Sequence, residues 1–146
     1  PFLEQIQLGG RTTGVEIAPV AYARSADEYA AAFATLAAGK PDAIIVQGIN
    51  APAAIADLAI KYRLPSASVV PAFVRAGGLM SYGADVPELF QRSATFIQKI
   101  LQGSKPANMP VEQPTKFNLA INLKTAKAVG VAIPPSFLLR ADDVIE

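Results

Sequence analysis

The stretch AGGLMSYGAD, residues 76–85, decides how the rest of the chain is read. Two glycines precede a short apolar run, residues 79–82, that reads as a strand. A Tyr-Gly pair follows, and then an acid stands where the longest helical pattern begins. With Pro87 in the first turn and Glu88 three residues on, Asp85 is a complete signal for a helix start. Leu89, Ser93, Phe96, Ile97 and Ile100 recur at helical spacing and are expected to face inward. Gly103 ends this helix, and the Pro-rich SKPANMPVEQP cannot continue it.

Upstream, strands and helices alternate. DAIIVQG, residues 42–48, is a short continuous apolar run, as expected of a strand covered on both faces in a parallel sheet. Ile55, Leu58, Ala59 and Tyr62 form a helical stripe, residues 66–70 of LPSASVV a second buried strand, and residues 72–76 a short helical turn. Strand and helix alternating over short connections imply a parallel α/β sheet with helices on both faces. Further upstream, residues 3–8 read as the tail of a helix closed by Gly9-Gly10, and residues 15–23 as an edge strand weakened by Pro19. Ser25 and Glu28 then form an S-x-x-E capping box ahead of a helix with Tyr29, Phe33 and Leu36 on one side, ended by Gly39.

Downstream of the long helix, TKFNLAINL (residues 115–123) is the cleanest alternation in the chain. Phe117, Leu119, Ile121 and Leu123 point one way; Lys116, Asn118, Ala120 and Asn122 point the other. Such a strand is expected to keep one wet face. A short helix at residues 125–129 stops at Gly130, and IPPSFLLRADDVIE is a Pro-started terminal segment.

Composition removes whole classes of chemistry. There is neither cysteine nor histidine, so thiol nucleophiles, Ser-His-Asp triads, zinc clusters and histidine acid-base catalysis are excluded. The net charge of +1 gives no electrostatic case for nucleic acid or an anionic membrane. No run of about 18 apolar residues is free of Pro, Gly and charge, as a membrane-spanning helix requires. LGGRTTG lacks the spacing and the Lys-Ser/Thr pair of a phosphate loop, and no G-x-G-x-x-G occurs. The acid pairs Asp27-Glu28 and Asp142-Asp143 lie near helix ends or the terminus and read as solvated surface. No cofactor, metal site or catalytic residue is expected.

In an open parallel sheet, ligands collect at the carboxyl ends of the strands. Those ends supply Gln47 and Asn50, then Pro71 and Phe73, then Tyr82 and Asp85. Gly83 lets backbone approach closely, Tyr82 offers an aromatic face and a hydroxyl, and Asp85 can meet a ligand ammonium. Each has a plainer reading. Asp85 can serve as a helix cap alone, or cap with one oxygen and face the cleft with the other. Tyr82 can be an ordinary packed aromatic, Gln47 and Asn50 can close their loop, and Gly77-Gly78 reads as no more than a turn.

From residue 73 to 146 the chain resembles the substrate-binding proteins of ABC importers, in the tryptophan/tyrosine-binding-like family. AGGLMSYG, KILQGSKPANMPVEQPTKF, INLKTAK and IPPSFLLRADDVIE carry the likeness, and SADEYAAAFATLAAGKPDAIIV resembles the family's middle region more loosely. The resemblance implies a type I periplasmic-binding-protein fold, in which two α/β lobes joined by crossovers close on a small ligand. This chain would then hold the second lobe without its first strand (residues 1–84), a crossover helix and hinge segment packing on the other lobe (85–110), and a return strand with a terminal segment (111–146). The ligand loops would be those of Gln47 and Asn50, Pro71 and Phe73, and Tyr82 and Asp85. Pro71 and Ala72 replace the polar side chains many relatives carry before the short helix.

The implied function is non-catalytic: capture of a small solute, such as an amino acid or a related compound, and delivery to a membrane permease in the periplasm or cell envelope. Ligand sensing by a transcription regulator of the same fold is the alternative, with a flavodoxin-like enzyme third. The absence of an initiator Met suggests a cut through a longer protein, so the truncated chain is expected to self-associate through exposed apolar surface and strand edges.

Overall fold

The computed structural model describes residues 2–48 and 50–146, so Ile49, in the loop between Gln47 and Asn50, lies outside the described residues. The chain forms two compact units, divided between Asp42 and Ala43.

The first unit holds helix α1 (Phe2–Thr13) and helix α2 (Ala26–Ala38). Gly9-Gly10 does not end α1, contrary to expectation; the helix runs on to Thr13 and Gly14 takes a positive φ of 74°. Gly10 serves a different purpose. The Val15 N–H donates to the Gly10 carbonyl at 2.8 Å, and a Cβ on Gly10 would lie 2.5 Å from the Val15 carbonyl oxygen. Glycine is therefore needed where the chain folds back on the helix. Residues 15–23 form no strand: the unit offers no second extended segment, and a strand exists only by pairing. The capping box is not made. Ser25 is extended at the N-cap but its hydroxyl makes no cap bond, and Glu28 Oε2 accepts from the Arg24 N–H at 2.6 Å, one residue ahead of the N-cap.

The second unit is a five-stranded sheet in sequential order: β1 (Ile44–Val46), β2 (Ser66–Ser68), β3 (Met80–Ala84), β4 (Phe117–Asn122) and β5 (Asp143–Ile145). β1, β2 and β3 are parallel, β4 runs antiparallel to β3, and β5 is parallel to β4. Helix α3 (Pro52–Lys61) links β1 to β2, and α4 (Pro71–Arg75) links β2 to β3. Both begin with Pro in the first turn, where its missing N–H costs nothing. Helix α5 (Val86–Leu101) and a 3-10 turn (Pro106–Asn108) lie between β3 and β4. α6 (Leu123–Val129) and α7 (Pro135–Leu138) lead to β5, a strand absent from the sequence reading of the terminal segment.

The glycine pair of residues 76–85 is more than a turn. Gly77 holds a φ of 106°, and the Gly78 N–H donates to the Phe73 carbonyl at 2.8 Å, closing α4. A Cβ on Gly78 would fall 2.3 Å from the Phe73 ring. One glycine supplies the left-handed backbone and the other the space for a fully buried aromatic.

Strand register sorts side chains into two faces. Ile44, Ser66, Ser68, Ser81, Ala120 and Asn122 share the face that carries α4, and all are buried. Polar atoms there are mostly consumed locally. Ser66 Oγ accepts from the Leu79 N–H and Ser68 Oγ from the Val70 N–H, while Ser81 Oγ has no partner. Ile45, Met80 and Tyr82 belong to the opposite face. The expectation that residues 42–48 are covered on both sides fails at Ile45, which is 54% exposed, because that face stays open at this end of the sheet.

The expected wet side of β4 is also corrected. Ala120 and Asn122 are buried because Asn122 is a junction: its Nδ2 donates to the Val74 carbonyl at 3.2 Å while its Oδ1 caps α6 by accepting from the Thr125 N–H at 3.0 Å. Thr125 Oγ1 donates to the Gly77 carbonyl at 2.7 Å, so β4 and α6 together hold the end of α4. Asp142 is likewise structural: its Oδ2 accepts from the Leu119 N–H at 2.7 Å, and its own N–H donates to the Leu119 carbonyl at 2.8 Å, extending the ladder.

The largest correction concerns α5. Its span and its Asp85 cap are as expected, yet none of its residues is buried. Leu89, Arg92, Ser93 and Phe96 line a shallow groove against Glu112 and Gln113 of the returning segment. Val86, Phe90, Ile97 and Leu101 form an exposed apolar stripe at spacings of four and seven residues, with Leu101 83% exposed. The stripe stays exposed, so the inward placement of Ser93, Ile97 and Ile100 is not met.

Candidate functional site

The carboxyl ends of β1, β2 and β3 lie on one edge of the sheet because the three strands are parallel. β4 is antiparallel to β3, so its first residues lie on that same edge, with Phe117 paired to Ala84 and Asn118 to Gly83. Gln47 follows β1, Pro71 opens α4 after β2, and Tyr82 and Asp85 end β3. Gln47 and Asn50 are exposed; Pro71 is half-buried.

Gly83 makes the edge tight. A Cβ at this position would lie 2.0 Å from the Val69 carbonyl oxygen, so the backbone that approaches it is the end of β2. Tyr82, on the other face, is 59% exposed and stacks on Phe117 across the strand pair, with ring centroids 5.6 Å apart and planes 20° from parallel. The two rings form an aromatic shelf open to solvent. Phe73 stands apart. Its ring is wholly buried over Gly78, its N–H donates to the Val70 carbonyl at 3.1 Å and its carbonyl accepts from the Gly78 N–H, so it supports the edge from within and faces no solvent.

Asp85 is the most engaged residue of the set. Its N–H donates to the Lys116 carbonyl at 3.0 Å, carrying the β3–β4 ladder one residue past Ala84. Its Oδ1 accepts from the Glu88 N–H at 3.1 Å as the α5 cap, and its Oδ2 lies 2.7 Å from Lys116 Nζ. The Lys116 ammonium, then the Glu88 amide, hold the Asp85 carboxyl below the usual carboxylate range; Asp85 in turn raises the Lys116 ammonium above its ordinary value. Both groups are charged at neutral pH.

Lys116, Phe117 and Asn118 were missed by the search along strand ends. The signal that finds them is the antiparallel return of β4, which brings the start of one strand to the end of its neighbour. Among the described residues no cluster of three acids could hold a metal ion, and no helix is long and apolar enough to cross a membrane.

A mostly parallel sheet whose loops gather at one edge is an α/β class in which that edge is the expected ligand site. Residues 14–145 match the family described as ABC transporter substrate binding protein, and the chain belongs to that family. Among solved structures it is similar to a conserved domain protein from Vibrio cholerae (24% identity, TM-score 0.87), with 98% of this chain and 49% of that one covered. It is similar also to an ABC domain in complex with L-Trp from Streptococcus pneumonia (28% identity, TM-score 0.85), again with 98% and 49% covered. A substrate-binding protein with adhesive properties from Clostridium difficile, in its ligand-free, open structure, aligns at 19% identity and TM-score 0.70 over 98% and 48%. The chain thus spans about half the length of these relatives. Comparison with curated proteins gave no match.

Proposed function

We propose that this chain is part of the substrate-binding component of an ABC importer, taking a small solute, an amino acid or a related compound, at the edge formed by β1, β2 and β3 and delivering it to a permease at the cell envelope. The observation that carries the reading is the aromatic shelf of Tyr82 and Phe117, set on the ligand edge of a fold shared with an L-Trp-bound relative. Gln47 and Asn50 present exposed polar side chains to the solute, half-buried Pro71 borders it, and Tyr82 presents its ring face, while Phe73 packs beneath and supports the loop. Asp85 bounds the site and holds its shape.

An open edge has one wall. A ligand site encloses most of its ligand, so the second wall belongs to the half of the relatives' length that this chain does not span. The apolar stripe of α5 supports the same division: residues 85–110 form a crossover whose exposed side packs on that second lobe. Without it, the stripe drives the isolated chain to self-associate.

Calorimetric titration of the longer protein that carries this chain, with amino acids and their analogues, tests the reading. Tyr82→Ala should weaken the best ligand by about tenfold, or about 1.4 kcal/mol. A protein that binds none of these solutes, or that binds equally well without the Tyr82 ring, overturns it.

A further inference from the structure

Two ion pairs join the first turns of α5 to the chain segment that returns to the sheet. Asp85 pairs with Lys116, and Arg92, two turns along the same side of α5, pairs with Glu112 while its Nη1 reaches Thr115 Oγ1 at 3.5 Å. Each is modest by itself: Lys116 is 62% exposed, and exposed pairs of this kind contribute little singly. Their arrangement is what matters. They stand in series, at residues 85 and 92 on one strip and 112–116 on the other, and the strip ends in the backbone bond from the Asp85 N–H to the Lys116 carbonyl.

The next residue after Lys116 is Phe117, whose ring stacks on Tyr82. A physical chain therefore runs from α5 through its two ion pairs to the start of β4, and from the Phe117 ring to the aromatic of the candidate site. Packed side chains and ion pairs in such a series can carry coupling between two sites when they move together.

We infer that α5 and residues 112–116 form one charge-zipped unit, and that Lys116 is a positioning residue through which displacement of α5 moves Phe117 and with it Tyr82. The zipper stands on geometry alone; its bearing on solute capture rests on the proposed function. A shift of α5 then changes the shelf without α5 touching the ligand.

Amide hydrogen exchange on the chain itself separates the two. Lys116→Met and Glu112→Gln should each speed exchange at residues 88–92, at 115–118 and at 82–84 together, by about three- to tenfold. Lys116→Arg should restore the slow rates. Acceleration confined to the strip that carries the substitution, or none in either variant, overturns the zipper. In the longer protein, Lys116→Met should also weaken ligand binding in proportion to the faster exchange at 82–84. Zippered exchange with unchanged binding would keep the unit and reject its link to the site, while loss of all ligand binding in the unsubstituted protein would fault the functional reading alone.

Discussion

The sheet around α4 and the helix α5 use the same sequence device and come to opposite ends. In both, apolar residues recur at the period of their secondary structure. Around α4 the pattern is consumed: Phe73 and Val74 are wholly buried, and Asn122 and Thr125 tie the end of the helix to β4 and α6. Along α5 the stripe from Val86 to Leu101 remains open. Periodicity states which side of an element favours cover, and says nothing of where the cover comes from. The buried region fixes the strand ends, and the stripe of α5 stays exposed.

The sharpest way to break this contrast is to empty the buried side. Phe73→Ala removes a ring enclosed by Gly78 and the core, and should cost about 4 kcal/mol, read as the shift in a denaturant midpoint. A cost below about 1 kcal/mol would mean that the region around α4 is no better packed than α5.

Asn122→Ala probes the polar part of the same region. It deletes the cap on Thr125 and removes the side-chain donor to the Val74 carbonyl, which keeps the Gly77 N–H alone, an expected loss of about 2 kcal/mol. If the loss were negligible, hydrophobic packing alone would be holding α4 to β4.

The smallest effect is expected on the open helix. Leu101→Gln should change the folding stability of the isolated chain by less than about 0.5 kcal/mol, since its side chain contacts solvent. The same substitution should weaken self-association in sedimentation, sharpening the view that this stripe is a docking side. A large loss of folding stability would place Leu101 in a core after all.

Much of this was legible from local pattern. The limits of α5 and its Asp85 cap follow from Pro87, Glu88 and Gly103, and the α/β class follows from the alternation of residues 42–84. The errors share a cause. Residues 15–23 have strand composition but no strand partner among the described residues, Ile45 lies on a face left open, and Ala120 and Asn122 at the far end of the polar row of β4 are buried because Asn122 bonds outward to α4. Each depends on a contact far along the chain, which no window of neighbouring residues contains.

At the site the division is the same. Tyr82 and Asp85 stand out as candidates because strand ends are local features of sequence. Lys116 and Phe117 do not, since the antiparallel pairing of β3 with β4 spans more than thirty residues of chain. The sequence alone determined the alternating strands and helices of residues 42–101, where α5 starts, and the absence of cysteine and histidine chemistry, because those depend on residue type and short-range spacing. Tertiary structure alone decided which apolar sides are covered, which polar groups are consumed in holding the fold, and which aromatic joins Tyr82, because burial and pairing are properties of what the chain brings together across distance.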